Sequence, residues 1–409
     1  MKRYVSFLVL LMTAISLQAQ DFQQFFNDST LRLDYIFAGD KKSQHIYLDQ
    51  LHKSAGWYGR RHHLDQLPLE GNGDITMKDA ATGTVIYRQS FSTLFQEWLS
   101  TAEARQTSRS FENVFLVPYP RQAVEITVTL RDYHARTMAS MTHRVNPTDI
   151  LIRRQHQQSR YTTIHAAADT ARCIHVAFVA EGYTIGQMDQ YLADCRAATE
   201  ALFRHEPFKQ LQDRFNIIAI QSPSHDTDVS QPGKNIWLDT ALGSHFDTFY
   251  STRYLTTLHL KRLHDLLAGT PYEHIIILAN TAHYGGGGIY NSYNLCYTRG
   301  QQFLPVVVHE FGHSFGGLGD EYPYGDDDPM YFADTEPWEP NLTTHTTHPA
   351  KWQKLIDEGR ASLVEGGGYL THGVWRGQED CRMRTNEHPD FCPVCQEALT
   401  RLIKFYTEQ

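Results

Sequence analysis

Two features that would direct a protein to nucleic acid or into a membrane are missing from this sequence. No block of Lys and Arg occurs along its 409 residues, and the formal net charge is -9 at pH 7. Because nucleic-acid backbones bind clustered positive charge, this composition argues against a nucleic-acid partner. Beyond the N-terminus, no segment has the roughly 20 apolar residues that a membrane-spanning helix needs. We therefore expect no stable membrane insertion.

The N-terminus lacks the cysteine that a lipoprotein anchor requires, but it has the other parts of an export signal. Lys2 and Arg3 precede an apolar stretch over residues 5–17, and Ala19 ends a small-residue cleavage site. The stretch is too short to cross a bilayer comfortably. We predict a signal peptide over residues 1–19 and a mature protein in the periplasm or outside the cell.

Cysteine is scarce, and half of it is clustered near the C-terminus. Of six cysteines, Cys381, Cys392 and Cys395 fall within one short segment. The C-x-x-C pair has no partner pair at zinc-ribbon spacing, which argues against a zinc knuckle. Because an exported protein can form disulfides, we predict one from Cys381 to either Cys392 or Cys395.

The segment from 20 to 150 has the pattern of an antiparallel β-sandwich. Apolar and polar residues alternate at 31–37 and 124–130, and shorter strand patterns lie at 83–87 and 113–117. Several short strands separated by turn residues are typical of a sandwich. No catalytic constellation stands out here, so we interpret this region as an accessory domain.

Residues 151–409 have a different pattern, in which strands alternate with helices. Strand patterns occur at 174–180, 216–220 and 274–280, and helical patterns at 188–211, 252–267 and 394–406. Such alternation indicates an α/β layer. The predicted fold class is α+β, with an N-terminal antiparallel β-sandwich followed by an α/β domain.

The most informative segment is the H-E-x-x-H sequence at residues 309–313. On a helix, His309 and His313 share one face and reach one metal ion, and Glu310 beside them holds a water on that ion. The apolar run at 303–308 favours a buried helix start. Two histidines, a third ligand and an open position for water predict a zinc peptidase with one zinc per chain and Glu310 as general base.

The third ligand has two candidates beside the motif, with a distant Glu, as in thermolysin-type enzymes, as the less favoured alternative, and a later methionine has a supporting role. The metzincin class of zinc peptidases extends the motif to H-E-x-x-H-x-x-G-x-x-H. Gly316 fits this frame, but Gly319 occupies the last position. Asp320 follows directly, and we favour it over Glu321 because it lies closest to the frame and a carboxylate can bind zinc. Met383 is the candidate for the metzincin Met-turn, a floor beneath the ligands.

The glycine-rich segment at 285–288 precedes the motif and has two interpretations. No Gly-Lys-Ser or Gly-Lys-Thr follows it, which argues against a phosphate loop. It is either an edge strand with close backbone approach, able to pair with an extended peptide, or a flexible loop. The sequence leaves both open.

Together, the segment 309–322, the glycine-rich segment before it and the tail at 381–395 resemble the IgA peptidase family of metzincin-like zinc peptidases. The resemblance covers about residues 170–409. The N-terminal region is similar to the accessory domain often found before this peptidase domain. The family name suggests immunoglobulin as a substrate, but no residue here encodes that specificity.

The resemblance implies His309 and His313 as zinc ligands, Glu310 as the catalytic acid and base, and a third ligand from Asp320 or Glu321. It also implies a metzincin-like peptidase domain over residues 151–409. We therefore expect an exported zinc endopeptidase acting on a protein or glycoprotein. The alternatives are a catalytically silent cell-surface binding protein on a peptidase fold and a zinc amidase acting on cell-wall peptides. The intact Glu310 argues against a silent protein.

Overall fold

Two four-stranded sheets form the N-terminal part of the chain in the computed structural model, which describes residues 22–157, 159–324 and 330–408. Their strands are β1 (Phe26–Gly39), β2 (Gln44–Ala55), β3 (Gly73–Asp79), β4 (Val85–Phe91), β5 (Arg109–Pro120), β6 (Val124–Arg131), β7 (Thr137–Val145) and β8 (Arg153–Arg154), with the short helices α1 (Phe22–Phe25) and α2 (Leu94–Trp98). The strand orders are β5-β1-β2-β8 and β4-β3-β6-β7. All pairs are antiparallel except β2 with β8. The predicted β-rich region is confirmed, whereas the predicted signal peptide lies outside the described residues.

Alternating side chains bring the two sheets together. Every second residue of β6 is buried, from Val124 to Leu130, because successive side chains of a strand point to opposite faces. Aromatic rings from both sheets meet between them, and the centroids of Phe91 on β4 and Phe115 on β5 are 4.4 Å apart. The sheets therefore share one apolar core.

A six-stranded mixed sheet forms the second part of the chain. Its strands are β9 (Tyr161–His165), β10 (Ile174–Glu181), β11 (Phe215–Ile220), β12 (His274–Ala279), β13 (Gly286–Ile289) and β14 (Tyr293–Tyr297), in the order β13-β14-β12-β10-β11-β9. The four central strands are parallel, and the edge strands β9 and β13 are antiparallel to their neighbours. The remaining elements are α3 (Met188–Leu202), α4 (Leu260–Leu267), α5 (Phe303–Ser314), α6 (Gln353–Asp357), α7 (Pro393–Thr407) and the hairpin β15 (Val364–Gly367) with β16 (Leu370–Arg376).

The two faces of this mixed sheet are covered by different parts of the chain. On β10, Ala177 and Val179 belong to the same apolar core as the N-terminal sheets. Their neighbours Val176 and Phe178 belong to a second core that includes Phe311 of α5. The N-terminal sheets and α5 therefore lie on opposite faces of one buried sheet, which fixes the N-terminal region relative to α5.

Two predicted helices are shorter than their sequence patterns indicated. The helix predicted over 188–211 ends at Leu202. Pro207 lies within the predicted span, and proline opposes helix formation because it lacks a backbone N–H and its ring clashes with the preceding turn. The helix predicted over 252–267 begins only at Leu260. There, the backbone of Thr256 exchanges two hydrogen bonds with His245, at 3.0 and 3.2 Å, and this tertiary pairing replaces the helix. Among the described residues, no helix has the length and apolarity to span a bilayer.

Glu273 is a buried carboxyl at the contact between the N-terminal segment around Arg60 and the mixed sheet. A Cβ added to Gly59 would lie 3.0 Å from its Oε1 atom, and its Oε2 atom has no hydrogen-bond partner. Burial raises the pKa of Glu273 from 4.5 to about 8. The native chain thus keeps a proton there at pH values where the unfolded chain has lost it.

Glu273→Gln is expected to stabilise the protein increasingly with pH. Because the native pKa lies above the unfolded value, the wild-type free energy of unfolding falls as pH rises from about 4.5 to about 8. Gln removes this proton dependence, so the gain should be small near pH 5 and reach about 2–4 kcal/mol above pH 8. Urea unfolding across this range measures it. The control is Glu125→Gln on the exposed side of β6, and a gain independent of pH would contradict the prediction.

Candidate active site

Helix α5 presents the H-E-x-x-H residues to a cleft. Its buried residues, among them Val307 and Phe311, pack into the core below the sheet. The opposite side of the helix lines a cleft of about 640 Å³ with His309, Glu310 and His313. The Nε2 atoms of His309 and His313 are 3.0 Å apart, because residues four apart on a helix share a face.

Backbone carbonyls fix the tautomers of both imidazoles. The Nδ1 atom of His309 donates to the carbonyl oxygen of Arg382 at 3.0 Å, and that of His313 donates to Leu318 at 2.5 Å. A neutral ring that donates through Nδ1 keeps a lone pair on Nε2. Both rings therefore direct Nε2 toward the same point in the cleft, where a neutral ring would offer its lone pair to a metal.

A tight turn after α5 brings Asp320 back to the helix. The helix ends at Ser314, and Gly317 has a left-handed backbone with φ of +59°, which glycine adopts without a side-chain penalty. The side chain of Asn341 then holds Gly319 from both sides, accepting from its N–H at 2.8 Å and donating to its carbonyl at 2.9 Å. These two hydrogen bonds fix the backbone at Gly319, and the next residue, Asp320, lies in the cleft.

The Asp320 carboxylate completes a triangle of ligand atoms with the two histidines. Its Oδ1 atom lies 3.1 Å from Nε2 of His309 and 3.2 Å from Nε2 of His313. Although burial acts in the opposite direction, Asp320 raises the pKa of His313 to about 9 and the histidines hold the pKa of Asp320 well below its ordinary value. The three atoms therefore favour a positive charge between them.

This donor set fits a zinc-type cation. Tetrahedral zinc with bonds of about 2.0–2.1 Å to nitrogen and oxygen separates its ligand atoms by about 3.3 Å, close to the observed triangle. Two imidazole nitrogens and a carboxylate oxygen at this spacing need positive charge among them, which a bound metal cation would supply. His309, His313 and Asp320 are thus one of two residue groups able to hold a metal ion in the described parts of the chain.

Glu321, the alternative third ligand, points away from the histidines. Its Oε1 atom accepts from the Asn341 amide at 2.9 Å and lies 3.2 Å from Sγ of Cys395. With Cys381, Cys392 and Cys395 it forms the second of the two groups. The two adjacent carboxylates therefore belong to two different groups of potential metal ligands.

The disulfide predicted from Cys381 to Cys392 or Cys395 is not formed in the structure. All three residues are free thiols. The Sγ atoms of Cys381 and Cys395 are 3.8 Å apart, whereas a disulfide requires about 2.05 Å. The sulfurs instead gather around the Glu321 carboxylate, a tertiary arrangement that the spacing of the cysteines did not indicate.

Met383 lies directly beneath the histidine-bearing helix. It is fully buried, and a Cβ on Gly312 would come within 2.6 Å of its sulfur. Its carbonyl oxygen accepts from the N–H of Glu321 at 2.9 Å. The turn that contains Met383 therefore contacts both α5 and the segment that carries Asp320.

Two tyrosines that the motif did not indicate surround the Asp320 carboxylate. The hydroxyl of Tyr369 donates to Oδ2 of Asp320 at 2.5 Å, which leaves Oδ1 directed at the histidines. The ring of Tyr322 lies parallel to that of His309 at 6.4 Å. The only sequence signal for Tyr369 is the glycine run at 366–368 that precedes it.

The N-terminal region contributes one wall of the cleft. Residues of this region that line it include Asn72, Glu97 and Tyr133. The hydroxyl of Tyr254 donates to Glu97, and burial raises the pKa of Glu97 to about 7. The N-terminal sequence gave no sign of this role, because Glu97 reaches the cleft only through the packing of the two parts of the chain.

The glycine-rich segment forms the edge strand β13, as one of its two interpretations predicted. Gly286 and Gly288 face α5, where added Cβ atoms would lie 2.6 Å from Oε1 of Glu310 and 2.5 Å from its carbonyl oxygen. Tyr254 makes a single parallel bridge to Gly286. The absence of side chains lets the strand approach the helix closely beside Glu310.

A cleft with two histidines on one helical turn, a glutamate beside them and a convergent aspartate defines the class of the protein as a peptidase. A family model described as IgA Peptidase M64 matches residues 162–364, and one described as Peptidase M64 N-terminus matches residues 21–142. The chain belongs to the IgA peptidase M64 family, as its resemblance predicted. No curated protein matches the chain.

Proposed function

We propose that the chain is an exported zinc endopeptidase acting on extended segments of protein or glycoprotein substrates. The observation that carries the proposal is the triangle of His309 Nε2, His313 Nε2 and Asp320 Oδ1, with sides of 3.0–3.2 Å, beside Glu310 in an open cleft. The export signal over 1–19, an accessory region over 20–150 and a catalytic region over 151–409 remain parts of this proposal.

His309, His313 and Asp320 would hold the zinc, and Glu310 would move the proton. A zinc ion bound there would supply Lewis-acid chemistry, polarising the scissile carbonyl and lowering the pKa of a water molecule. The Glu310 carboxylate accepts the proton of the attacking water at one oxygen and gives it to the nitrogen of the breaking C–N bond. Burial raises the pKa of Glu310, which helps it to retain the proton between these events.

The position of Met383 supports a metzincin-like arrangement. A methionine beneath the ligand-bearing helix is the second feature of that class, and here the Met383 sulfur lies against Gly312. The Asp320 carboxylate would replace the third histidine of the metzincin motif, with Tyr369 orienting it through a hydrogen bond to Oδ2.

An extended peptide is the substrate form that the cleft favours. Strand β13 lies at the edge of the sheet beside Glu310, and a substrate backbone can pair with its remaining edge beyond the Tyr254 bridge. Glu97 in the opposite wall supplies a carboxyl that favours a basic or hydrogen-bonding side chain in the substrate.

A cleavage-site profile tests the proposed function. Purified protein is incubated with unfolded proteins, and new N-termini are identified by mass spectrometry. We expect cleavage within chains that stops when a chelator removes the metal and returns when zinc is added. Chelator-insensitive cleavage would exclude the metal site from catalysis. Release of amino acids from cell-wall peptides alone would favour the amidase instead.

Gly288→Ala tests whether the glycine strand must approach the catalytic helix. The new methyl group would lie 2.5 Å from the Glu310 carbonyl oxygen and 2.9 Å from Cβ of His313, forcing strand and helix apart. We expect peptide kcat/KM to fall about 100-fold. The control is Gly186→Ala, where the methyl group would meet nothing within 4 Å. Equal activity of both variants would contradict the prediction.

A further inference from the structure

A second cluster of metal-ligating side chains is buried behind the candidate active site. It comprises Glu321, Cys381, Cys392 and Cys395, all at most 1% exposed. Their ligand atoms lie within 4.8 Å of one another. They come from three segments, namely the turn after α5, the turn before Met383 and the N-terminus of α7. The proposed peptidase mechanism uses none of them.

The spacing of these atoms matches a four-coordinate zinc site. The Sγ atoms of Cys381 and Cys395 are 3.8 Å apart, and zinc with bonds of about 2.3 Å to sulfur separates two tetrahedral thiolates by about 3.8 Å. Oε1 of Glu321 lies 3.2 Å from Sγ of Cys395 and 4.0 Å from Sγ of Cys392. Three sulfurs and one carboxylate oxygen thus surround a common centre.

Glu321 also brings to this cluster a buried carboxyl oxygen that no donor satisfies. Its Oε1 atom accepts from Asn341, but its Oε2 atom is buried without a hydrogen-bond partner. A fully buried carboxylate oxygen without a donor is costly unless a cation is near. Among the nearby side chains, Arg376 supplies positive charge but directs its NH1 atom to the carbonyls of Glu365 and Gly366.

Backbone N–H groups and a helix N-terminus face the sulfur atoms of the cluster. The N–H groups of Met383 and Cys392 donate to Sγ of Cys381, at 3.4 and 3.1 Å. Cys392 is the N-cap of the fifteen-residue helix α7, and Cys395 lies in its first turn, where the helix dipole stabilises negative charge. Backbone donors and a helix N-terminus are also the usual outer partners of metal-bound cysteines.

We propose that Glu321, Cys381, Cys392 and Cys395 bind a second zinc ion at a structural site separate from the histidine site. Three thiolates with one carboxylate in tetrahedral spacing select zinc among common divalent cations. Four protein ligands and complete burial leave no position for substrate or water, which defines a structural rather than a catalytic site.

This ion would hold together the three segments that support the histidine site. Glu321 is covalently joined to Asp320, and its N–H donates to the carbonyl oxygen of Met383. The neighbouring carbonyl of Arg382 orients His309. By crosslinking these segments to α7, the ion would fix the position of Asp320, the tautomer of His309 and the position of Met383.

Metal and thiol counts on the wild-type protein are the first test of the proposal. We expect about two zinc ions per chain, and all six cysteines titrating as thiols once the chain is unfolded with a chelator. One metal ion per chain that Cys395→Ser retains would overturn the second site, whether the unfolded chain shows six thiols or, through a disulfide, only four. Either thiol count, with the single ion lost in His309→Ala, would leave the proposed peptidase site standing.

Site variants then assign each ion. The double variant His309→Ala with His313→Ala should lose the zinc ion of the histidine site and keep that of the cysteine site. Cys395→Ser should lose the zinc ion of the cysteine site and keep that of the histidine site. Cobalt substitution separates them, because only the cysteine site gives thiolate charge-transfer bands. Cys173→Ser, a buried cysteine outside the cluster, should keep both ions. Thiolate bands that persist undiminished in Cys395→Ser would contradict the assignment.

Discussion

Replacing Glu310 with glutamine is expected to lower kcat for peptide hydrolysis by about 10³-fold or more while the fold and metal content stay unchanged. Glutamine keeps the size of the side chain but cannot accept the proton of the attacking water, a contribution of about 10²–10⁴-fold for a general base. The side chain is not one of the three convergent ligand atoms, so the histidine site should still bind zinc. Single-turnover rates on a peptide found by cleavage profiling measure the effect.

The control for Glu310→Gln is the same substitution at Glu200, an exposed residue of the helix α3. It removes the same charge from a helix outside the cleft, and its kcat should match that of the wild-type protein. A Glu310→Gln variant that retains kcat within about tenfold would show that another group moves the proton. Loss of zinc in that variant would instead assign Glu310 a role in metal binding.

Helices and strands whose residues form a local apolar pattern were predictable from the sequence. The apolar run at 303–308 and the two histidines predicted a helix, and α5 spans Phe303–Ser314. The strand predicted at 174–180 is β10, Ile174–Glu181. Every residue of β10 is buried, and an apolar run begins α5. Each element is therefore marked by a short apolar stretch of its own sequence. The same motifs carried the family resemblance, which the family models confirm.

The sequence favoured Asp320 over Glu321 as the third ligand through the metzincin frame, but it did not predict where the Glu321 side chain lies. The directions of the two side chains depend on the left-handed turn at Gly317 and on Asn341, which binds Gly319 and Glu321 from a distant segment. Such long-range hydrogen bonds leave no periodic pattern in the sequence.

The cleft wall and the cysteine cluster were missed for the same physical reason. Glu97 lies in a five-residue helix of the N-terminal region and reaches the cleft only because the N-terminal sheets cover one face of the mixed sheet. Cys381 and Cys395 suggested a disulfide by proximity along the chain, whereas their sulfurs stand 3.8 Å apart around a carboxylate from another segment. In both cases, tertiary packing assigns the role.

Asp320→Asn is expected to weaken zinc binding at the histidine site by more than about 100-fold, beyond the 10–100-fold typical of outer-shell partners. Asparagine keeps the shape and the hydrogen bond that Tyr369 donates, but it removes the negative charge that lies 3.1–3.2 Å from both histidine nitrogens. A chelator treatment that empties the open histidine site and leaves the enclosed cysteine site loaded comes first, and the zinc concentration that then half-restores hydrolysis measures the histidine site.

The matched control is Glu321→Gln, which removes the adjacent charge without touching the histidine triangle. Its half-restoring zinc concentration should stay within about tenfold of the wild-type value, well short of the change expected from losing a direct ligand. Its thiolate-bound metal should weaken, because Glu321 Oε1 lies 3.2 Å from Sγ of Cys395. The opposite pattern, with Glu321→Gln abolishing zinc restoration and Asp320→Asn sparing it, would mean that Glu321 and not Asp320 completes the catalytic zinc site.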